Sequence, residues 1–210
     1  MKNIFLIIIS VVASRSSLFG QLQNGEDSRI YSLLVKAEFL STSKSAAIIK
    51  NCINDKEIEE STSLIRLADS TKDENWLQQI YYWTEDQNGN RPIKIDTLTF
   101  GMIAKYSKIK FETFSMPNDL KVESKVFFLK KFPIRRRSVD KDWQWFYEKY
   151  PDSDGIYGFS KISYYTTEDL LAIVYYWHRR HGLNGHGAIA VLNKVDNTWK
   201  IKYKIYLWMN

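Results

Sequence analysis

Hydrophobic and polar positions alternate with two different periods along this chain, and the period changes near its middle. From Ser28 to about Leu40, Ile30, Leu33, Leu34, Ala37 and Leu40 recur at helical spacing, with Asp27 or Ser28 placed to cap. Ser45 to Ile53 reads as a strand, although Ala46–Ile49 would also suit the continuation of a helix. Charges and hydroxyls dominate 54–70, with Leu64, Ile65 and Leu67 as a short strand. Thr71 and Glu74 then stand three apart in a capping-box pattern, ahead of Trp76, Leu77, Ile80, Tyr81 and Trp83 on one helical stripe. Asn88–Gly89–Asn90 and Pro92 are expected to end that helix. Ile93–Phe100, Ser107–Phe114 and Ser124–Phe132 are predicted strands, with a turn at Pro117–Asp119.

The second half is patterned more strongly. Asp140 and Asp142 open a helix carrying Trp143, Phe146, Tyr147 and Tyr150 on one side, stopped by Pro151. Four strands follow, at about 156–165, 169–178, 186–195 and 198–209, joined by short turn chemistry. Segment 169–178 is apolar on both faces and belongs in the middle of a sheet. In the last strand, Trp199, Ile201, Tyr203, Ile205, Leu207 and Met209 alternate with Lys200, Lys202, Lys204 and Tyr206, which predicts one apolar and one basic face. Helices first and a meander last argue for an α+β fold, with N-terminal helices packed on an antiparallel sheet that ends in a four-strand C-terminal meander.

The N-terminus carries a separate message. Lys2 precedes an apolar run from Ile4 to Ala13, and the chain turns polar at Gln21. This is the layout of a signal peptide over residues 1–20, too short to span a bilayer, which predicts a secreted or periplasmic domain over 21–210 with no transmembrane anchor after cleavage. The net charge of +6 is modest. The dense basic clusters, Arg135–Arg137 and His178–His181, are short and read as solvated loops, so nucleic acid is not expected as a partner. Cys52, the single cysteine, reads as a small buried hydrophobe and excludes an internal disulfide.

No catalytic signature emerges. Asp152–Gly155 lacks the first and twelfth ligands of a calcium loop and reads as a turn. His178, His181 and His186 surround one predicted hairpin that would set His178 across from His186. Their spacing fits no standard zinc signature and Arg179 and Arg180 oppose a cation, so no metal and no cofactor is expected, and the histidines are taken as loop residues. Ser160 with His186 and Asp169 lacks a nucleophile elbow. Gly185–His186–Gly187 is expected to turn or bulge the chain at the start of a strand.

Trp143, Phe146, Tyr147, Tyr150–Pro151, Ser153, Gly155, Phe159–Ser160, Gly182, Gly185, Gly187, Leu192, Lys194, Trp199, Ile201 and Trp208 form a pattern that resembles a group of small exported bacterial proteins of uncharacterised function. The likeness spans about 143–210 and implies a shared fold without an activity. The meander also resembles, more distantly, the sheet of cone-shaped folds of the nuclear transport factor 2 type, which implies a small-molecule pocket between helix and curved sheet.

The functional expectation is therefore an exported, non-enzymatic binding or accessory domain for a carbohydrate, a peptide or another exported protein. Its candidate contacts are Tyr206 and Trp208 on the lysine face of the last strand. The alternative is a small secreted hydrolase with a pocket between the 143–150 helix and the meander, using Glu148 or Asp169 with His178 or His186.

Overall fold

The computed structural model describes residues 25–38, 45–50, 55–71, 73–109, 114–120, 122, 126–130, 139–166 and 170–210. Residues 1–20, where a signal peptide is expected, together with Cys52, Arg135–Arg137 and Asp169, lie outside the described residues. Two compact units are distinguished, one of Met1–Phe39 with Pro117–Glu123, the other of Leu40–Met116 with Ser124–Asn210.

In the first unit residues 25–38 form helix α1. Ile30 and Leu34 of the expected stripe are fully buried, joined by Tyr31 and Val35, whereas Leu33 is partly buried and Ala37 exposed. The Ser28 hydroxyl donates to the Asp119 carbonyl at 3.0 Å and ties this helix to the 117–122 segment.

The second unit holds an eight-stranded sheet. Its elements are β1 (Ser45–Ile49), α2 (Asp55–Ser61), α3 (Ser63–Thr71), α4 (Glu74–Tyr82), β2 (Thr84–Glu85), α5 (Thr97–Tyr106), β3 (Val126–Leu129), α6 (Val139–Lys149), β4 (Ser153–Phe159), β5 (Ser163–Thr166), β6 (Leu170–His181), β7 (Asn184–Val195) and β8 (Thr198–Met209). Strand order is β2-β8-β7-β6-β4-β1-β3, with β5 also paired to β6. The class is α+β, and the sheet is mixed: β1 runs parallel to both β3 and β4, while every other pairing is antiparallel. Among the described residues no helix is long and apolar enough to cross a membrane.

One sheet face and helices α2–α6 share a core built from Ile156, Ile173, Tyr175, Trp177, Ile189, Val191 and Ile205 against Ile58, Ile65, Ile80, Ile103, Tyr106, Trp143 and Phe146. Ile65 and Ala68 repeat three apart, the spacing that makes 63–71 a helix rather than the predicted short strand. Thr71 is the last residue of α3 and not a cap. The cap of α4 is Asp73, whose carboxylate accepts from the Asn75 amide at 2.8 Å. That helix closes at Trp83, well before Asn88, because the chain pairs at once with β8. Ile93–Phe100 is likewise not a strand: Asp96 accepts from the Thr99 amide at 2.8 Å and starts α5.

The C-terminal meander follows the alternation of the sequence with two changes. The first expected strand is split into β4 and β5 around Ser160–Ile162. At that break the Ser160 hydroxyl shares a 2.6 Å hydrogen bond with Tyr106, and both oxygens accept from the Tyr175 amide, at 2.9 and 2.7 Å. The second change is in β8. The register passes from Val191–Tyr203 to Leu192–Ile201 and from Ala188–Tyr206 to Gly187–Trp208, so one extra residue enters at each step. Each such bulge reverses which face the following side chains occupy. The single apolar face expected for the last strand is therefore divided: Tyr203 and Ile205 join the helix-side core, while Trp199 lies opposite, beside Tyr164.

Candidate functional site

The sheet face opposite the helices carries an unusual polar-aromatic row. Tyr157 of β4 pairs with His178 of β6, His178 with His186 of β7, and Tyr206 of β8 with Ala188, two residues on from His186. The rings follow that register. Tyr157 and His178 stack at 4.1 Å with planes 6° apart, His178 and His186 meet edge-on at 5.9 Å, and His186 meets Tyr206 at 5.4 Å. At the outer end the Tyr206 hydroxyl donates to Glu85 at 2.8 Å and Arg91 lies over its ring, itself paired with Glu85 at 2.7 Å. Lys204 stands 3.6 Å from the same carboxylate.

Asp154 anchors the inner end. It is buried, and its Oδ2 receives Arg180 at 3.3 Å and the Tyr157 hydroxyl at 3.4 Å. His178 Nε2 lies 2.9 Å from the Asp154 carbonyl and 3.8 Å from its carboxylate. This approach requires Gly155, whose φ is +118°. A Cβ there would collide with the Arg179 carbonyl and press on His178 Nε2. Burial of the imidazole lowers the His178 pKa to about 4; the Asp154 carbonyl and carboxylate oppose this, whereas Arg180 and His186 add to it. Tyr147 of α6 donates to the Arg180 carbonyl, and burial, together with the charge of Asp154, raises its pKa.

The histidines are thus strand residues rather than the loop residues expected. His178 is 2% exposed, and only His181, at the end of β6, stands half in solvent, 3.8 Å from Asp140 and stacked on Trp143. The expected cross-strand placement of His178 and His186 is what the register shows. Arg179 and Arg180 do not form a solvated tip: Arg179 lies over Trp177 and Trp208, and Arg180 is bound to Asp154. Asp152 remains in a turn, but Ser153–Gly155 begin β4.

Tyr206 and Trp208 do not share a groove. Because of the bulge at Leu207, Trp208 faces the helix side, donating its indole N–H to the Tyr175 hydroxyl at 3.0 Å, while Tyr206 faces the histidine row. Both are half-buried. Of the hydrolase candidates, His178 and His186 are brought together, and Asp169 lies outside the described residues. Glu148 is exposed on α6 and accepts from Gln144 at 2.9 Å, and Ser160 is enclosed by Tyr106 and Tyr175. The row itself, absent from the sequence-level expectations, was signalled only by the pairing of His178 with His186.

A second feature lies at the other end of β8. This strand has twelve residues, yet among the described residues only Lys204 and Ile205 pair with β2 on its outer side. The strand near 200–202 borders a cleft of 320 Å³ lined by Asp86 and Gln87, by Asn193 and Val195 of β7, and by Lys200, Ile201 and Lys202. Asp86 is occupied by its own turn: it accepts from the Asn90 side chain and amide and from the Asn88 amide, contacts that hold its carboxyl below the ordinary value. Lys202 is partnered by Asp96 at 3.2 Å, and Lys200 is exposed.

Comparison with known protein families, with curated proteins and with solved structures found no match.

Proposed function

We propose that this chain is an exported, non-enzymatic binding domain that takes an extended, acidic peptide segment along the outer edge of β8. The observation that carries the reading is the edge itself: among the described residues no strand is paired with the outer side of β8 between Lys204 and Thr198, where a cleft with lysines on its wall opens. An open strand edge presents unpaired amide and carbonyl groups, and an added strand satisfies them. The bulge at Lys202 and the two lysines discourage indiscriminate pairing with apolar or basic strands. Exposed Lys200 offers a charge match to a glutamate or aspartate of an incoming segment, Lys202 being paired with Asp96 already. Export rests on the apolar leader pattern of residues 1–20.

The test is calorimetric titration of the purified protein with a synthetic peptide alternating glutamate and valine, with oligosaccharides as the comparison, followed by hydrogen exchange of the bound state. Binding that weakens with salt and in Lys200→Glu, together with new protection of amides in 198–203, supports the reading. Equal binding by Lys200→Glu, protection elsewhere, or a response to oligosaccharide alone overturns it.

A further inference from the structure

We propose that His178 and His186 form a binding site for a late first-row divalent metal ion, holding copper(II) most tightly and zinc(II) next. The two residues are direct cross-strand partners in β6 and β7, and a ring nitrogen of one lies within 4.8 Å of a ring nitrogen of the other. Two imidazole nitrogens bound to one metal at about 2.0–2.1 Å each must approach to roughly 3.4 Å in tetrahedral geometry. Small χ rotations close that gap, and cross-strand pairing keeps the Cβ atoms fixed while they do so.

The surroundings resemble those of a prepared ligand rather than of a packing residue. His178 Nε2 lies 2.9 Å from the Asp154 carbonyl, the outer contact that metal-bound histidines commonly make; it selects the tautomer that leaves Nδ1 with its lone pair. Tyr157 stacked on one face of the ring restricts its rotation, and Tyr206 lies against the edge of His186. Burial keeps His178 neutral at pH 7, the form that coordinates.

Of the two arginines of the same strand, Arg180 acts against positive charge at His178, and it does so with its guanidinium paired to Asp154. Arg179 is directed to the other face of the sheet, over Trp177 and Trp208, and Arg180 is neutralised by Asp154 at 3.3 Å. Imidazole donors favour copper and zinc over magnesium or calcium, and the intrinsic order of divalent affinities places copper first. The two imidazoles fill part of the ion's coordination shell and leave its other positions to further donors.

The experiment uses the whole chain titrated with copper(II), read by electron paramagnetic resonance and by competition with a chromogenic chelator. One equivalent bound with coupling to two imidazole nitrogens is expected. In His186→Asn the affinity falls by at least roughly tenfold and the coupling drops to one nitrogen. His181→Asn, altering a solvent-facing histidine in the same strand, leaves both readouts unchanged. Because His178 is buried, His178→Asn is judged only where its circular dichroism matches the parent. Binding that survives His186→Asn, follows His181, or lacks imidazole coupling overturns the assignment.

Discussion

At the level of single residues, the features that decide the structure are close approaches and buried charge. Gly187 sits where a Cβ would collide with the Trp208 indole and lie 2.8 Å from the Tyr175 hydroxyl. Gly187→Ala must push the Trp208 ring off its hydrogen bond to Tyr175, so urea unfolding should show a loss of about 1–3 kcal/mol. A methyl group accommodated without cost would mean the ring has room that the register does not suggest. His178 carries a different signature. With its pKa depressed from 6.5 to about 4, mainly by burial, the folded protein resists protonation that the unfolded chain accepts. The stability tied to this residue is fully present above pH 6.5 and is lost as the pH falls towards 4, up to about 3 kcal/mol. Chemical denaturation from pH 7.5 to pH 4.5 should therefore show a steeper loss in the parent than in His178→Asn. The histidine pair was foreseeable from the hairpin, since turn chemistry at Gly182–Gly185 fixes the partners. Its burial was not, because the polar letters H-R-R-H read as solvent-facing until the row of Tyr157, Asp154 and Tyr206 is assembled from two other strands.

Among the elements, α5 shows how one cap outweighs strand-like composition. Ile93–Phe100 contains Ile93, Ile95, Leu98 and Phe100 in a nearly alternating order, which suggested a strand. Asp96 redirects it: Oδ1 accepts from the Thr99 amide and Oδ2 from the Thr99 hydroxyl at 2.7 Å. Burial alone would raise the Asp96 pKa, but these bonds and the Lys202 ammonium outweigh it and hold the carboxyl below its ordinary value. Asp96→Ala should lower stability by about 1 kcal/mol near neutral pH. The deficit should shrink in acid, because the parent carboxylate loses its advantage as the pH falls through its depressed pKa. Thermal melts at pH 7 and pH 3 would check both parts, and a deficit independent of pH would show that the side chain acts without its charge. Other elements escaped the sequence for comparable reasons. Helix α2 carries a single apolar residue, the buried Ile58, so no hydrophobic period marks it. In β8 the alternation is perfect in the sequence and broken in space, because the bulges at Lys202 and Leu207 absorb one residue each without leaving a sequence mark.

Taken over the whole second unit, the distribution of burial predicts how the sheet opens. β6 has strands on both sides and side chains buried on both faces from Leu171 to His178, which is what its doubly apolar sequence required. β7 is comparable from Gly187 to Leu192. By contrast β2 has two residues, and the Val126–Leu129 strand ends the sheet with every residue only partly buried. Amide exchange is governed locally by opening of the fewest contacts and centrally by global unfolding. Hydrogen exchange followed by mass spectrometry should therefore rank the amides of 172–177 and 188–192 slowest, and the protection of those two segments should fall together on addition of low urea. Amides of 84–85 and 126–129 should exchange far earlier and with little urea dependence. The 198–203 half of β8 should fall between these classes, protected where it donates to β7 and open where its edge borders the cleft. Were that half as slow as the centre of β6, its outer edge would have to be occupied already, and the peptide-binding reading would lose the open edge on which it depends.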